Sequence, residues 1–456
     1  MDKSVSDHQI PFFVEAVGQQ RGPVVCSAAG KTERAYLISK LCRKTDQTIV
    51  AVLPDFKACE EFSETLRFFA DQDFPEIILF PPYNILPFKR VAYHHETAAN
   101  RIQSLYCLAA GAGPRILLTS VEAMVQRLIP KQVLCDYAEL LMCGEEIDRD
   151  VLIAKLHAGG YTHVTLVEDH GEYSIRGGIL DIFSPMYPDP LRVELFGDTV
   201  DSIRFFSPVT QRKISTVNEA VILPAREAVL EKSLIRQTVS RIREQVSASG
   251  LSEQVGEEFI DRIRKEGVFP GIESLLPLVY EKLDMLPDYV PQNALWVECD
   301  PGSLEKAAVH IESQAARNYV IASEDKRLCV DPATLYVPWP SLKERIKVGR
   351  RLIFRDLPSM TQTADEGEPP LLQVDFPIQN NAEISAALLQ GGKDALILEP
   401  LCQWLIEKQS AGFLVLIVCG TEAQIQRLQS LMQPYGIYPR LLETPVEKLI
   451  HRKPGI

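Results

Sequence analysis

Four short runs of sequence shape the middle of this chain: E-Y-S-I-R-G-G (residues 172–178), I-L-D-I-F (179–183), L-R-V-E-L-F-G-D (191–198) and D-S-I-R-F-F (201–206). Apolar and polar residues alternate through residues 192–195, which is typical of a half-buried antiparallel strand. Gly177-Gly178 and Gly197-Asp198 supply turns between consecutive strands. These runs therefore predict a small antiparallel sheet in which Arg192 and Glu194 lie on one face.

The same runs closely resemble the small second domain that is shared by the excision-repair protein UvrB and the transcription-repair coupling factors (Mfd). The resemblance to the first half of the coupling-factor family extends, in the same order, through residues 81–84, 96–105, 117–126 and 157–204. In this family the second domain docks the damage-recognition protein UvrA. The residues that match its docking surface are Arg176, Arg192 and Phe196. A further arginine of the UvrB motif corresponds to Ser174, so we do not expect that contact here.

The residue types of this surface also suit a protein interface. A guanidinium on a rigid sheet can grip a carboxylate with two hydrogen bonds, and a neighbouring aromatic ring adds area that can be removed from water. The sequence leaves an alternative open, in which Arg192 pairs with Glu194 or Asp181 as an ordinary surface bridge and Phe196 belongs to the core.

Composition limits the classes of function. The chain has 456 residues and a formal net charge of −13, which argues against broad coating of nucleic acid. Ten cysteines are scattered without a C-x-x-C pair, so we expect a reducing cytoplasm and no zinc ribbon or disulfide framework. We find neither a signal peptide nor an apolar run long enough to cross a bilayer, and we expect no membrane role.

Alternating strands and helices organise the first part of the chain. Strands are predicted at 23–26, 48–53, 77–80 and 116–119, and helices at 33–42, 56–69, 97–109 and 121–128. This rhythm predicts a doubly wound parallel sheet. Further along the chain, we predict helices at 149–158, 227–246, 252–265 and 271–285, and strands at 294–299, 351–354, 413–418 and around 439–442.

Together with the resemblance, these patterns predict an α/β protein. The expected architecture is a degenerate P-loop, RecA-like doubly wound sheet with an inserted small α+β domain and a small C-terminal α/β module. The predicted boundaries are 1–135 for UvrB-like domain 1a, 136–224 for the docking domain 2, 225–360 for the mostly helical domain 1b, 361–372 for a linker and 373–456 for the module.

Gly30, Lys31 and Thr32 follow a strand and precede a helix, as the end of a phosphate-binding loop does. The first glycine of that motif is replaced by Val25, a β-branched residue that does not suit the loop's dihedral angles. In UvrB-like sequences an apolar strand ends in Asp-Glu, whereas the corresponding segment here ends in Glu298-Cys299-Asp300. We therefore expect a vestigial site without catalytic residues, and weak ATP binding by Lys31 remains open.

DNA contacts are expected to be few. UvrB-like proteins insert a long aromatic hairpin into damaged duplex, but residues 83–90 run almost directly into 96–101 and leave no room for it. Lys89, Arg90 and Arg101 are candidate phosphate contacts, and a solvated loop is the alternative. His94-His95-Glu96 and His170 lack further ligands at motif spacing, so we predict no metal site.

The resemblance implies the non-catalytic, UvrA-recruiting part of a transcription-coupled excision-repair factor. Such factors use ATP and Mg²⁺ in a motor that translocates on double-stranded DNA and displaces stalled RNA polymerase. Neither the motor nor the polymerase-binding domain is in this sequence, so we expect it to be part of a longer protein. One alternative is an active UvrB-like DNA-dependent ATPase or helicase that uses Lys31 and Thr32. In another, the module after residue 370 is the main partner-binding element.

Overall fold

A computed structural model describes residues 3–19, 22–27, 30–70, 73–83, 95–111, 113, 115–355, 372–375, 382–390, 398–413 and 415–441. The strands are β1 (Val24–Ser27), β2 (Ile49–Leu53), β3 (Glu76–Phe80), β4 (Arg115–Ser120), β5 (Glu139–Met142), β6 (Thr162–His163), β7 (Glu172–Arg176), β8 (Ile179–Ile182), β9 (Leu191–Phe196), β10 (Thr199–Phe206), β11 (Lys213–Val217), β12 (Glu219–Ile222), β13 (Leu295–Cys299), β14 (Arg350–Arg355) and β15 (Leu372–Asp375).

Helices connect these strands and cover the sheets. They are α1 (Lys3–Gln19), α2 (Lys31–Cys42), α3 (Phe56–Phe68), α4 (His95–Ala110), α5 (Val121–Val125), α6 (Lys131–Tyr137), α7 (Arg149–Ala158), α8 (Lys232–Ala248), α9 (Glu253–Glu266), α10 (Leu276–Val279), α11 (Leu286–Tyr289), α12 (Pro301–Glu324), α13 (Pro332–Leu335), α14 (Trp339–Lys347), α15 (Ala382–Gln390), α16 (Glu399–Ser410) and α17 (Glu422–Met432). Among the described helices, none is both long enough and apolar enough to cross a bilayer.

The main sheet is parallel and has seven strands in the order β15-β1-β14-β13-β2-β4-β3. Its central strands are apolar throughout because both faces are covered. In β2, Val50 and Val52 pack into one core, while Ile49 and Leu53 pack into the core on the other face. A run of β-branched residues with no polar alternation is typical of a strand in this position. The predicted α/β class with a parallel sheet is confirmed.

A second, separate sheet has six strands in the order β11-β10-β9-β8-β7-β6. All of its neighbouring strands are antiparallel except β6 and β7. Leu180, Val193 and Ile203 point to one face, where they pack against Leu152 and Leu156 of α7. The alternation of apolar and polar residues leaves the opposite face polar. A two-stranded pair of β5 and β12 lies beside this core.

Three of the predicted helices differ clearly from the structure. The helix predicted at 227–246 begins only at Lys232, because residues 225–231 are not helical, and all of them except Glu231 are buried. The helix predicted at 271–285 is broken into a 3₁₀ turn at Ile272–Leu275 and the short helix α10. Gly271 has a φ of +97°, and Pro277, in the first turn of α10, cannot donate a backbone hydrogen bond to the preceding 3₁₀ turn, so one continuous helix does not form.

The helix predicted at 121–128 ends at Val125, after which the chain becomes extended. Gln126 and Leu128 then form isolated antiparallel bridges to Tyr336 and Asp284. The 24-residue helix α12 was not predicted, although no residue in its interior is of a type that ends a helix.

The described part of the C-terminal region is helical. Helices α16 and α17 enclose a small core of Cys402, Leu405 and Met432. The predicted strands at 413–418 and 439–442 are wrong for the positions that the structure describes there, since none of those residues is paired in a sheet. Residues 373–375, which we assigned to the module, lie in β15 and pair with β1 of the main sheet.

We expect Gly178→Ala to destabilise the second sheet. A Cβ at this position would lie 2.6 Å from the backbone oxygen of Leu195, whose N–H donates to the Gly178 carbonyl at 2.7 Å. Forcing the strands apart should cost about 1–3 kcal/mol of unfolding free energy, measured by urea denaturation. Gly18→Ala is the control, because Gly18 lies in α1, where an added Cβ would meet nothing within 4 Å, and should be neutral or slightly stabilising. Equal urea midpoints for the two variants would contradict the expectation.

Candidate protein-docking site

A row of polar side chains crosses the second sheet on the face opposite its core. Its members are paired in register on neighbouring strands: Ser174 with Asp181, Asp181 with Arg192, and Arg192 with Arg204. Residues directly opposite each other in antiparallel strands lie on the same face. The row therefore places two arginines and one carboxylate side by side, whereas the alternation in residues 192–195 predicted only that Arg192 and Glu194 share a face.

Asp181 binds both arginines that were predicted to dock a partner. Arg192 donates from Nε to Oδ1 at 2.6 Å and from Nη2 to Oδ2 at 2.8 Å, which is the bidentate geometry of a strong ion pair. Arg176 donates from Nη2 to Oδ2 at 2.6 Å. The Asp181 side chain is only 2% exposed, so its negative charge is neutralised within the sheet rather than offered to a partner.

Arg192 is held more tightly than Arg176. Its guanidinium lies 4.4 Å from the centre of the Phe206 ring, and Nη2 also donates to Gln211 at 3.3 Å. The hydrogen bonds to Asp181 raise the pKa of Arg192 above its usual range. The Arg192 side chain is 15% exposed and that of Arg176 is 50% exposed. The Arg192–Asp181 ion pair that the sequence left as an alternative is thus part of the structure, and both arginine side chains keep some exposed surface.

Phe196 lies at the edge of the same face. It is four residues beyond Arg192 in β9, so its side chain points in the same direction. It is 84% exposed and does not belong to the core, which removes the alternative that the sequence left open. Gly197, with a φ of +67°, turns the chain immediately afterwards. An aromatic ring in this exposed position is available to a partner.

Ser174, on β7, lies at the other end of the row, next to Asp181. It is buried, and its hydroxyl donates to the carbonyl of Thr165 at 3.2 Å. Nearby, Val167, Phe183 and Phe206 form a small apolar cluster. Ser174, which offers no contact in the predicted docking surface, is thus buried in the structure.

A second ion pair follows the first along the face. Glu194 accepts hydrogen bonds from Arg204 on one oxygen and from Ser202 on the other, the latter at 2.9 Å. Neither Asp181 nor Arg204 was among the predicted site residues. Asp181 and Arg204 belong to the sequence runs 179–183 and 201–206, but only the strand register shows that they are neighbours of Arg192.

The candidate nucleotide position lies elsewhere, at the start of α2. Gly30 precedes the helix, and Lys31 and Thr32 are exposed in its first turn. Lys31 Nζ donates to Glu61 at 2.9 Å, and this hydrogen bond lowers the pKa of Glu61. A Cβ on Gly30 would lie 2.5 Å from Glu33 Oε2, so a carboxylate folds back over the helix N-terminus. Both the lysine and the helix end thus already face negative charge, which fits a bound phosphate poorly.

The acidic segment of the expected site is also unlike a metal-binding edge. Glu298 is buried in β13, and burial raises the pKa of its carboxyl group. Its Oε1 lies 3.8 Å from the Arg351 guanidinium in the neighbouring strand. Asp300 follows β13 with a φ of +61°, and its side chain accepts a hydrogen bond from Ser303 at the start of α12. Asp300 therefore has a local hydrogen-bond partner, whereas Glu298 has the Arg351 guanidinium nearby but its buried Oε1 accepts no hydrogen bond from the described residues.

Comparison with known proteins relates this chain to a repair family. Residues 140–227, which contain strands β6 to β12 and the whole polar face, match the family model of the UvrB interaction domain. The chain is 28% identical over 426 residues to the transcription-repair-coupling factor of Myxococcus xanthus, and this match covers 91% of the chain and 35% of that protein. This chain is similar to the transcription-repair-coupling factors over most of its length. The predicted resemblance to their UvrB-like part is confirmed.

Two other coupling factors agree with this relationship. The protein of Haemophilus influenzae is 28% identical over 413 residues, with 90% of this chain and 34% of that protein covered. The protein of Escherichia coli is 27% identical over 357 residues, with 77% and 30% covered. The chain therefore spans about a third of the length of the coupling factors that it matches.

Arg101 is not a DNA contact, and that prediction was wrong. Its side chain is fully buried, as is that of Glu227, with which it forms an ion pair. It also donates to the Pro81 carbonyl at 2.7 Å, and its guanidinium lies 4.1 Å from the centre of the Tyr83 ring. A phosphate cannot reach a cation that has no accessible surface. The other two candidates, Lys89 and Arg90, lie outside the described residues.

We expect Arg101→Met to destabilise the protein strongly. The substitution keeps much of the side-chain length but leaves the Glu227 carboxylate buried with only the Tyr83 hydroxyl, which donates to it at 2.7 Å. Removing one partner of a buried ion pair typically costs about 3–5 kcal/mol, to be measured by urea denaturation. Arg243→Met is the control, because Arg243 forms an exposed ion pair with Glu257. If both variants keep the wild-type midpoint, the buried pair does not stabilise the fold.

Proposed function

We propose that this chain recruits UvrA during transcription-coupled nucleotide excision repair and makes or breaks no bond itself. The match to a UvrB interaction domain and the related coupling factors support a role in this repair pathway. The observation that carries the proposal is the exposed Phe196 on the same face as two arginines whose carboxylate partner is buried. That combination provides an apolar anchor beside oriented cationic donors.

The arginines bind from a preorganised arrangement. Asp181 fixes the plane of the Arg192 guanidinium before any partner arrives, so less side-chain freedom is lost on binding. Within the described part of the chain, Arg192 has no hydrogen bond from Nη1, and Arg176 has one only from Nη2. The remaining N–H groups can donate to acidic or carbonyl groups of UvrA. Phe196 would enter an apolar recess in the partner.

The main sheet acts as a scaffold in this proposal. Glu33 and Glu61 place negative charge around Gly30 and Lys31, and Cys299 stands where the family has a catalytic carboxylate. The complete coupling factor would be an ATP-dependent translocase on double-stranded DNA. ATP, Mg²⁺ and RNA polymerase would be bound by parts of the protein outside this chain.

Truncating Phe196 and Arg176 tests the docking surface. We expect Phe196→Ala and Arg176→Ala each to weaken UvrA binding by about tenfold or more, since exposed anchors of an interface contribute most of its affinity. Both side chains are exposed enough to be removed without opening the core. Binding of purified UvrA would be measured by calorimetry, with Val348→Ala and Arg264→Ala as exposed controls far along the sequence.

The double variant Arg176→Ala/Arg192→Ala should weaken binding further. It also leaves the buried Asp181 without either arginine, so its thermal stability must be measured alongside its affinity. Wild-type affinity in the folded Phe196 and Arg176 variants would refute the proposed docking role.

ATP turnover tests the scaffold role of the main sheet. We expect no phosphate release above background with or without DNA, because the Gly30–Lys31 position fits a phosphate poorly. Lys31→Ala should therefore leave the rate of phosphate release unchanged. Lys57→Ala serves as the matched control, because Lys57 is an exposed lysine of α3. Sustained hydrolysis that Lys31→Ala abolishes and Lys57→Ala preserves would instead establish the ATPase alternative.

A further inference from the structure

Arg192 and Arg204 stand directly opposite each other on β9 and β10. Such cross-strand neighbours have Cβ atoms about 4.5–5.5 Å apart, and like charges at that separation destabilise a sheet. An apolar or neutral pair would be more favourable for folding alone. The sheet instead keeps two cations in contact positions at the centre of a polar face.

Each of these arginines is neutralised from a different side. Arg192 is bound by Asp181 on β8, whereas Arg204 is bound by Glu194, which lies on the same strand as Arg192. The second oxygen of Glu194 is occupied by Ser202. Both carboxylates are therefore engaged within the face, and the groups still able to bind outward are guanidinium N–H donors.

We propose that Arg204 is a third docking arginine, which binds a carboxylate of the same partner next to Arg192. This inference rests on the proposed function and extends its surface from β9 onto β10. Arg176, Arg192 and Arg204 exceed the two carboxylates that bind them, Asp181 and Glu194, by one positive charge, while Glu172 lies on the same face of β7 and the whole chain carries −13. A partner with acidic side chains at this point complements the local charge.

The geometry favours a further docking residue on β10 over one on β7, where Arg176 is already part of the surface. The other residue of the row on β7, Ser174, is buried under the Thr165 carbonyl and offers no cation. On the β10 side, the Arg204 side chain remains 29% exposed, and its strand neighbour Thr216 on β11 is exposed. Arg204 thus supplies a further cation on the flank of Arg192 that a partner can reach.

Variants of the two residues of the Arg204–Glu194 ion pair distinguish a direct contact with UvrA from a role in stabilising the sheet. We expect Arg204→Gln to weaken UvrA binding by about fivefold to tenfold and Arg204→Lys to weaken it less, because a lysine keeps the charge but not the planar fork. Glu194→Gln removes the same ion pair while Arg204 remains, so it should preserve or tighten binding. Arg243→Gln, which breaks an exposed ion pair on α8, is the matched control. Affinities would be measured with purified UvrA at two salt concentrations, and thermal melting would confirm that each variant is folded.

The outcomes distinguish this inference from the proposed function. A smaller salt dependence in Arg204→Gln, with binding retained in Glu194→Gln, supports a direct contact from Arg204. Equal losses in Arg204→Gln and Glu194→Gln would mean that the bridge only supports the sheet and would overturn the inference. So would unchanged binding in Arg204→Gln while Phe196→Ala is impaired, and in that case UvrA docking itself would stand. If Phe196→Ala and Arg176→Ala also bind normally, the proposed function fails as a whole.

Discussion

The Asp181 carboxylate is the constraint on which the docking face depends. A carboxylate with almost no exposed surface must be paired, because an isolated buried charge would cost several kcal/mol. Arg192 meets this requirement with two parallel hydrogen bonds, and Arg176 adds a third. The need to neutralise one buried charge thereby fixes the directions of two surface cations. Stability of the sheet and display of its arginines have the same origin.

The same chemistry has a different consequence in the main body of the protein. Arg101 and Glu227 also form a charge pair, but both partners are fully buried and the guanidinium is enclosed by the Phe80 and Tyr83 rings. No donor of that pair faces solvent, so it can only hold α4 to the segment at 225–231. Arg101 has no exposed surface, whereas the Arg176 and Arg192 side chains are 50% and 15% exposed, so exposure, and not the presence of an acidic partner, separates the proposed docking arginines from the structural one.

The sequence was informative where the pattern is local. Uninterrupted apolar runs predicted the parallel strands, and alternation in residues 192–195 predicted the shared face of Arg192 and Glu194. It was uninformative where the deciding partner is remote: Glu227 lies 126 residues from Arg101, so the burial of this arginine could not be read from its polar neighbours in α4. Likewise, Gly271 and Pro277 break a segment whose apolar spacing alone is helical. The register that places Arg204 beside Arg192 also depends on the bulge in β10, and no residue type in that strand predicts a bulge.

The position of the docking domain is tied to these buried contacts and not to a nucleotide. The segment at 225–231 leaves the small domain, and its backbone is bonded to α7 through Ala225 to Gly159 and Leu230 to Ala158. Arg226 in this segment pairs with the buried Glu273 of the helical layer, while Glu227 pairs with Arg101 of α4. Because these links are charged and desolvated, they tolerate little displacement. The segment at 225–231 can therefore hold the polar face of the second sheet in a fixed orientation, as the proposed recruiting role requires.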